Sequence, residues 1–150
     1  MRHSKRWIAI LGLLVALPLL SACTQTSAEA EGGGEEPAKV EHVEGSEDVS
    51  RLTLTAKAVE RIGIQTTPLS ESTVAGKKRK VVPYGAVLYD AEGKTSVYVS
   101  SAANTYVREP ITVDFIEGDR AVLSAGPAAG TAIVTVGAAE LYGTETGVGH

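Results

Sequence analysis

Val81-Val82-Pro83-Tyr84-Gly85-Ala86-Val87-Leu88-Tyr89, followed by Asp90-Ala91-Glu92-Gly93-Lys94 and then Thr95-Ser96-Val97-Tyr98-Val99-Ser100, is the stretch that decides the fold. The first run is apolar and rich in β-branched and aromatic side chains, which suit a pleated, half-buried backbone. The middle five residues carry turn chemistry, with Asp at one end and Gly near the other. The last run alternates, so Val97 and Val99 fall on one face and Tyr98 on the other. Two such runs around a five-residue loop containing glycine predict a β-hairpin.

Reading outward, the same pattern recurs on both sides. Tyr106 to Phe115 predicts a strand broken at Pro110, with Ile111, Val113 and Phe115 on one face. Glu117 to Arg120 reads as a turn, Ala121 to Leu123 as a short strand, Gly126 to Gly130 as a turn and Thr131 to Val136 as a strand. Upstream, Leu52 to Thr55 alternates as a strand. Ala56 to Ile62 reads as a helix capped by Thr55 and stopped by Gly63. Ile64 to Val74 is extended, with Pro68 best placed on an edge. About six short strands and one short helix predict a mainly β domain over residues 51–142, a small antiparallel β-barrel or sandwich. Its core would draw on Val, Ile, Leu and the tyrosines. The glycines at 143, 147 and 149 predict a flexible tail over 143–150.

The N-terminus follows different rules. Arg2, Lys5 and Arg6 precede an apolar run from Trp7 to Leu20, which is shorter than the roughly 20 residues a spanning helix needs. A positive end, a short apolar centre and small residues before a cut site predict a signal peptide over residues 1–22. Leu20, Ser21 and Ala22 before Cys23 resemble the bacterial lipobox. That resemblance implies cleavage before Cys23, lipidation of its thiol and a lipid-anchored location at the cell membrane on the extracytoplasmic side. Cys23 is the sole cysteine of the chain, so no internal disulfide can form.

Residues 24–50 hold eight acids, one base (Lys39), three consecutive glycines and no aromatic residue. Together with Cys23 they predict a disordered acidic linker over 23–50, because such a segment buries too little apolar surface to fold. As a flexible coil it would span about 30 Å. The leader's three positive charges and the linker's −7 account for the chain's net −4, so residues 51–150 are neutral. A neutral domain gives no electrostatic basis for binding nucleic acid.

Catalytic chemistry is not legible. His3, His42 and His150 all lie outside the expected core, which leaves no histidine for a triad or a closed metal site. Gly32 to Gly34 lacks the Gly-Lys-Ser/Thr sequel of a phosphate loop. Asp114, Glu117 and Asp119 do not fit a calcium loop. The expectation is a non-enzyme with no cofactor and no metal. Lys77, Lys78, Arg79 and Lys80 form the one basic cluster, read as an exposed loop with an option on anionic surfaces, where each charge is worth about 1 kcal/mol.

Four stretches resemble the periplasmic adaptor subunits, or membrane fusion proteins, of efflux pumps. Val82-Pro83-Tyr84-Gly85-Ala86-Val87 with Val97-Tyr98-Val99 is similar to that family's "VPxxAV" and "VYV" strands. Val107 to Val113 is similar to its "RRPVxV" segment. Gly118 to Gly126 with Gly130 to Gly137 is similar to "GDxVEVLSGLxxGDxVVxxG", and Gly63-Ile64-Gln65-Thr66 to its "GIxT" strand. The resemblance implies a membrane-proximal β-domain that docks on an inner-membrane transporter. The lipoyl-like domain, helical hairpin and central barrel of complete adaptors have no counterpart here, since only Ser70 to Lys80 separates the two matching segments. The alternatives are an extracytoplasmic ligand- or metal-binding lipoprotein and a structural envelope lipoprotein. The oligomeric state is not legible.

Overall fold

Val97 and Val99 enter one hydrophobic core, and Tyr98 between them enters another. This is the alternation expected from the sequence, but both faces are buried, so the strand lies in the middle of the molecule. The computed structural model describes residues 36–43, 45 and 49–147. The segments read as a signal peptide and a lipobox, together with Cys23, lie outside the described residues.

Ten strands and two helices are present among the described residues, more than the six strands and one helix expected. The strands are β1 (Ala38–His42), β2 (Ser50–Leu54), β3 (Gln65–Pro68), β4 (Ser70–Val74), β5 (Lys77–Pro83), β6 (Leu88–Tyr89), β7 (Thr95–Ala102), β8 (Thr105–Glu117), β9 (Arg120–Ala125) and β10 (Ala132–Val136). The helices are α1 (Ala56–Ile62) and α2 (Ala138–Thr146). The main path runs β3-β10-β7-β8-β9-β5-β4, with β2 joined to β8, β1 to β2 and β6 to β7. Every pairing is antiparallel.

Leu69 explains why the sheet curls into a half-barrel. The strands β3 and β4 sit at opposite ends of the path, yet Leu69 alone separates them in the chain. Its amide donates to the Thr131 carbonyl and its own carbonyl accepts from the Gly130 amide, both at 2.8 Å. Its side chain is buried with Val82, Ala86, Val97, Val99, Ile111, Ala121, Leu123 and Ile133. The second core lies on the other face of β7 and β10. There Leu52, Leu54, Tyr98, Tyr106 and Val134 meet Ala58 of α1 and Ala138 and Leu141 of α2.

The helix α1 has the expected bounds. The Thr55 hydroxyl accepts from the Ala58 amide at 3.2 Å, and Gly63 ends the helix at φ 72°, a left-handed value natural to glycine.

Several expectations are corrected. Val81 to Tyr89 is not one strand: β5 stops at Pro83, a 3-10 turn covers Tyr84–Ala86, and only Leu88 and Tyr89 pair with β7. Pro83 supplies no N–H, and the Tyr84 amide turns to the Asp119 carbonyl at 2.8 Å, which drops Ala86 into the inner core. The cluster Lys77 to Lys80 is in β5 rather than in a loop, paired with β4 from Val74 to Glu71. The strand β8 continues through Pro110. At that residue it has β7 beside it, while its pairings with β2 end at Val107 and those with β9 begin at Thr112. Bulges interrupt the β8–β9 ladder between Thr112 and Phe115, and beyond them both faces of β8 are open to solvent, so Ile111 is buried while Phe115 and Ile116 are exposed.

The two ends of the domain also differ from expectation. Ala38–His42, read as linker, is a strand registered against β2 along its whole length. Pairing rescues a segment too polar to fold alone, because an edge strand needs only one partner for its ladder. The expected tail is helical as far as Thr146, and residues 148–150 lie outside the described residues. Gly143 lowers the helix propensity of this segment, but the fully buried Leu141 and the contacts of Glu145 override it.

Between β4 and β5, Val74 pairs with Lys77 around Ala75 (φ 49°) and Gly76 (φ 75°). Two positive φ values mark a type I′ turn, which Asn-Gly suits best. An alanine in the left-handed region costs about 1 kcal/mol. Ala75→Asn should raise stability by about 0.5–1 kcal/mol, seen as a higher urea midpoint at unchanged slope.

Candidate functional site

The sequence between Leu54 and Ile62 places apolar side chains where β2 hands over to α1, and Ala138 to Thr144 supplies a second short helix beside it. Between these elements and β1 lies an open groove of about 970 Å³. Leu54 and Ala58 are buried at its base, with Ile62 partly buried. Val40, Ala139 and Gly143 extend the apolar lining. Glu36, Lys39, Arg61 and Glu140 give it a charged border of both signs. Glu36 and Pro37, the residues through which the acidic segment enters the domain, are part of the wall.

One wall of the groove is held from beneath by a buried polar network. The Glu145 side chain of α2 is 4% exposed and that of Arg108 on β8 is 14% exposed. Arg108 donates to both carboxylate oxygens, from Nε at 3.1 Å and from Nη2 at 3.2 Å. The Tyr98 hydroxyl donates to Oε2, and the Ser50 amide donates to Oε1 at 3.1 Å. The guanidinium of Arg108 also stands 5.6 Å from the ring centre of Tyr142, within cation–π range. A buried carboxylate is tolerated only when paired and hydrogen-bonded in this way.

The network shifts its members. Burial raises the Tyr98 hydroxyl above the ordinary tyrosine value, and the hydrogen bond to Glu145 and its negative charge raise it further. Burial acts to lower Arg108, but the hydrogen bond and charge of Glu145 outweigh it and leave the guanidinium raised. Burial alone raises Tyr106 nearby.

The residues singled out in the sequence are scattered. Strand alternation divides Lys77 and Arg79 from Lys78 and Lys80. Arg79 is paired with Asp114, and Lys80 Nζ donates to the Gly126 carbonyl at 2.8 Å. Lys77 and Lys78 are exposed at the end of the β4–β5 hairpin. His42 is on β1, His3 and His150 are outside the described residues, and the described residues hold no group of three or more potential metal-ligating side chains. No described helix is long and apolar enough to cross a membrane. The groove and the network were not expected. A lone Glu after Gly143 gives no sign of burial, and the groove combines three separate stretches of chain.

No protein-family model matches the chain, and no curated protein or solved structure shows significant similarity to it. The resemblance to periplasmic adaptors therefore rests on the order and spacing of its own motifs.

Two outcomes follow from the network. Glu145→Ala leaves the Arg108 charge with its carboxylate partner removed, and should cost about 3–5 kcal/mol in denaturant unfolding. Replacing both residues by Met should cost less than Glu145→Ala alone. The second outcome concerns alkali. Folding favours neutral Tyr98, so its contribution is complete below the unfolded tyrosine value of about 10. It declines as pH rises above that value and the unfolded chain ionises first. Thermal scans from pH 9 to 12 should show a shallower decline for Tyr98→Phe than for the wild type, with Tyr106 and Tyr89, both also raised, contributing to the slope that remains.

Proposed function

We propose that this chain is a lipid-anchored extracytoplasmic lipoprotein that docks on an envelope transporter, in the manner of a minimal efflux-pump adaptor. The groove between β1, α1 and α2 carries the reading. It is apolar at its base, bordered by both signs of charge, and walled in part by Glu36 and Pro37, where the acidic segment joins the domain. Apolar contact would supply affinity, and the mixed rim would orient the partner. The lipobox-like Leu20-Ser21-Ala22-Cys23 supports an anchor, and the motif order from Val82 to Gly137 supports the adaptor-like role. Anchoring would raise the local concentration of domain and transporter, so a modest groove suffices.

A second reading has its own support, because about 970 Å³ is in the range of small-molecule sites. An extracytoplasmic lipoprotein that captures an amphiphile would use the same base and rim.

A photocrosslinking residue at Thr144, on the groove wall, should form an adduct with a polytopic membrane protein in intact membranes. The same residue at Glu92, in the distant β6–β7 turn, should not. Equal adducts from both positions, or none from Thr144, would overturn the docking reading. A lipid or other amphiphile retained by the purified chain in native mass spectrometry, and lost on Ala58→Trp, would favour the second.

A further inference from the structure

The strand β1 ends a sheet. Among the described residues it pairs with β2 alone, which leaves its other edge without a strand. It contains no proline, so each residue keeps its N–H for a ladder. Native proteins guard such edges with bulges, proline or unbalanced charge. Here the register of β1 with β2 is continuous from Ala38 to His42 and carries no bulge. Its single lysine is neutralised by Glu41, 2.8 Å away. Val40 at the centre is 44% exposed, one of six exposed large apolar side chains among the described residues.

The order Ala38-Lys39-Val40-Glu41-His42 is self-complementary about its centre. Laid antiparallel on a second copy with Val40 opposite Val40, it sets Lys39 opposite Glu41 of the other copy and Glu41 opposite its Lys39. Directly opposed side chains lie about 4.5–5.5 Å apart at Cβ, within reach of an ion pair, and opposite charges there stabilise while like charges oppose. Every ladder in this sheet is already antiparallel, so the added pair continues the same geometry. The existing Lys39–Glu41 pair is exposed, with side chains 70% and 44% accessible. Its exchange for two pairs between copies therefore forfeits little.

We propose that β1 is a homodimerisation edge: two copies pair antiparallel through Ala38–His42 about a two-fold axis at Val40, joining their sheets into one. The symmetry is that of an isologous contact, in which the same patch serves both partners. A five-residue ladder buries little surface, so the dimer is weak in dilute solution and gains from confinement on a membrane. Because Val40 and Lys39 also line the groove, the pairing sets the grooves of two copies along one seam.

The test is disulfide trapping of the full chain in membranes and in detergent. Val40→Cys should give an oxidised dimer at least 5-fold above the wild-type chain, whose Cys23 sets the background, and above Glu92→Cys, a remote exposed site. Adding Lys39→Glu places glutamates opposite each other and should lower the dimer yield at least 5-fold. Adding Glu41→Lys to that variant restores the opposed charges and should restore the yield. Circular dichroism of each variant verifies that the domain is folded. A Val40→Cys yield no higher than the two controls would overturn the proposal. So would a yield indifferent to Lys39→Glu in variants that are folded, or one that the double exchange fails to restore.

Discussion

Glu145 is the constraint on which the helical side of this molecule depends. It is a carboxylate held away from water on a short helix of modest intrinsic propensity, interrupted by Gly143. Water would solvate it if the helix undocked. Docked, it needs several donors, and these come from three different strands: Ser50 on β2, Tyr98 on β7 and Arg108 on β8. One side chain thereby fixes the position of α2 over the sheet, and with it one wall of the groove. Such networks are sensitive to geometry, since removing one member takes a hydrogen bond or a charge partner from buried groups.

Tyr98 links this constraint to the rest of the fold. Its ring is fully buried in the core beneath the helices, and its hydroxyl reaches Glu145. Its neighbours Val97 and Val99 face the opposite core inside the curl of the sheet. The strand β10 repeats the arrangement with Ile133 inward and Val134 toward the helices. Two adjacent central strands are thus buried on both faces. This lets a small domain without a disulfide build two cores that share a single wall. Leu69 completes the inner core by bending a continuous segment so that it supplies both ends of the sheet.

The surface divides along the same lines. The strands β3 and β4 end the main path of the half-barrel and are largely exposed. Where β1 ends the sheet, a self-complementary edge is left beside an apolar groove with a mixed-charge rim. The basic run from Lys77 to Lys80 does not act as one patch, because strand alternation separates neighbours and Arg79 and Lys80 are engaged within the domain. The apolar groove lies at the β1, α1 and α2 end.

Local rules were sufficient for part of this structure. Alternation in Thr95–Ser100, the Thr55 cap, the Gly63 stop and the turns at Asp90–Lys94 and Glu117–Arg120 all act within a few residues, so the sequence alone determined them. It also determined that the chain is mainly β. Features decided by partners distant in the chain were not legible. The strand in Ala38–His42 exists because β2 accepts it, and the helix at Ala138–Thr146 because buried groups on three strands need Glu145. The burial of Ile111 and the exposure of Phe115 depend on how far the core reaches along β8: the strand runs on beyond it, and Ile116 on the other face is exposed too. The groove was invisible for the same reason: its lining joins residues 36–40, 54–62 and 139–144, and only tertiary packing brings them together.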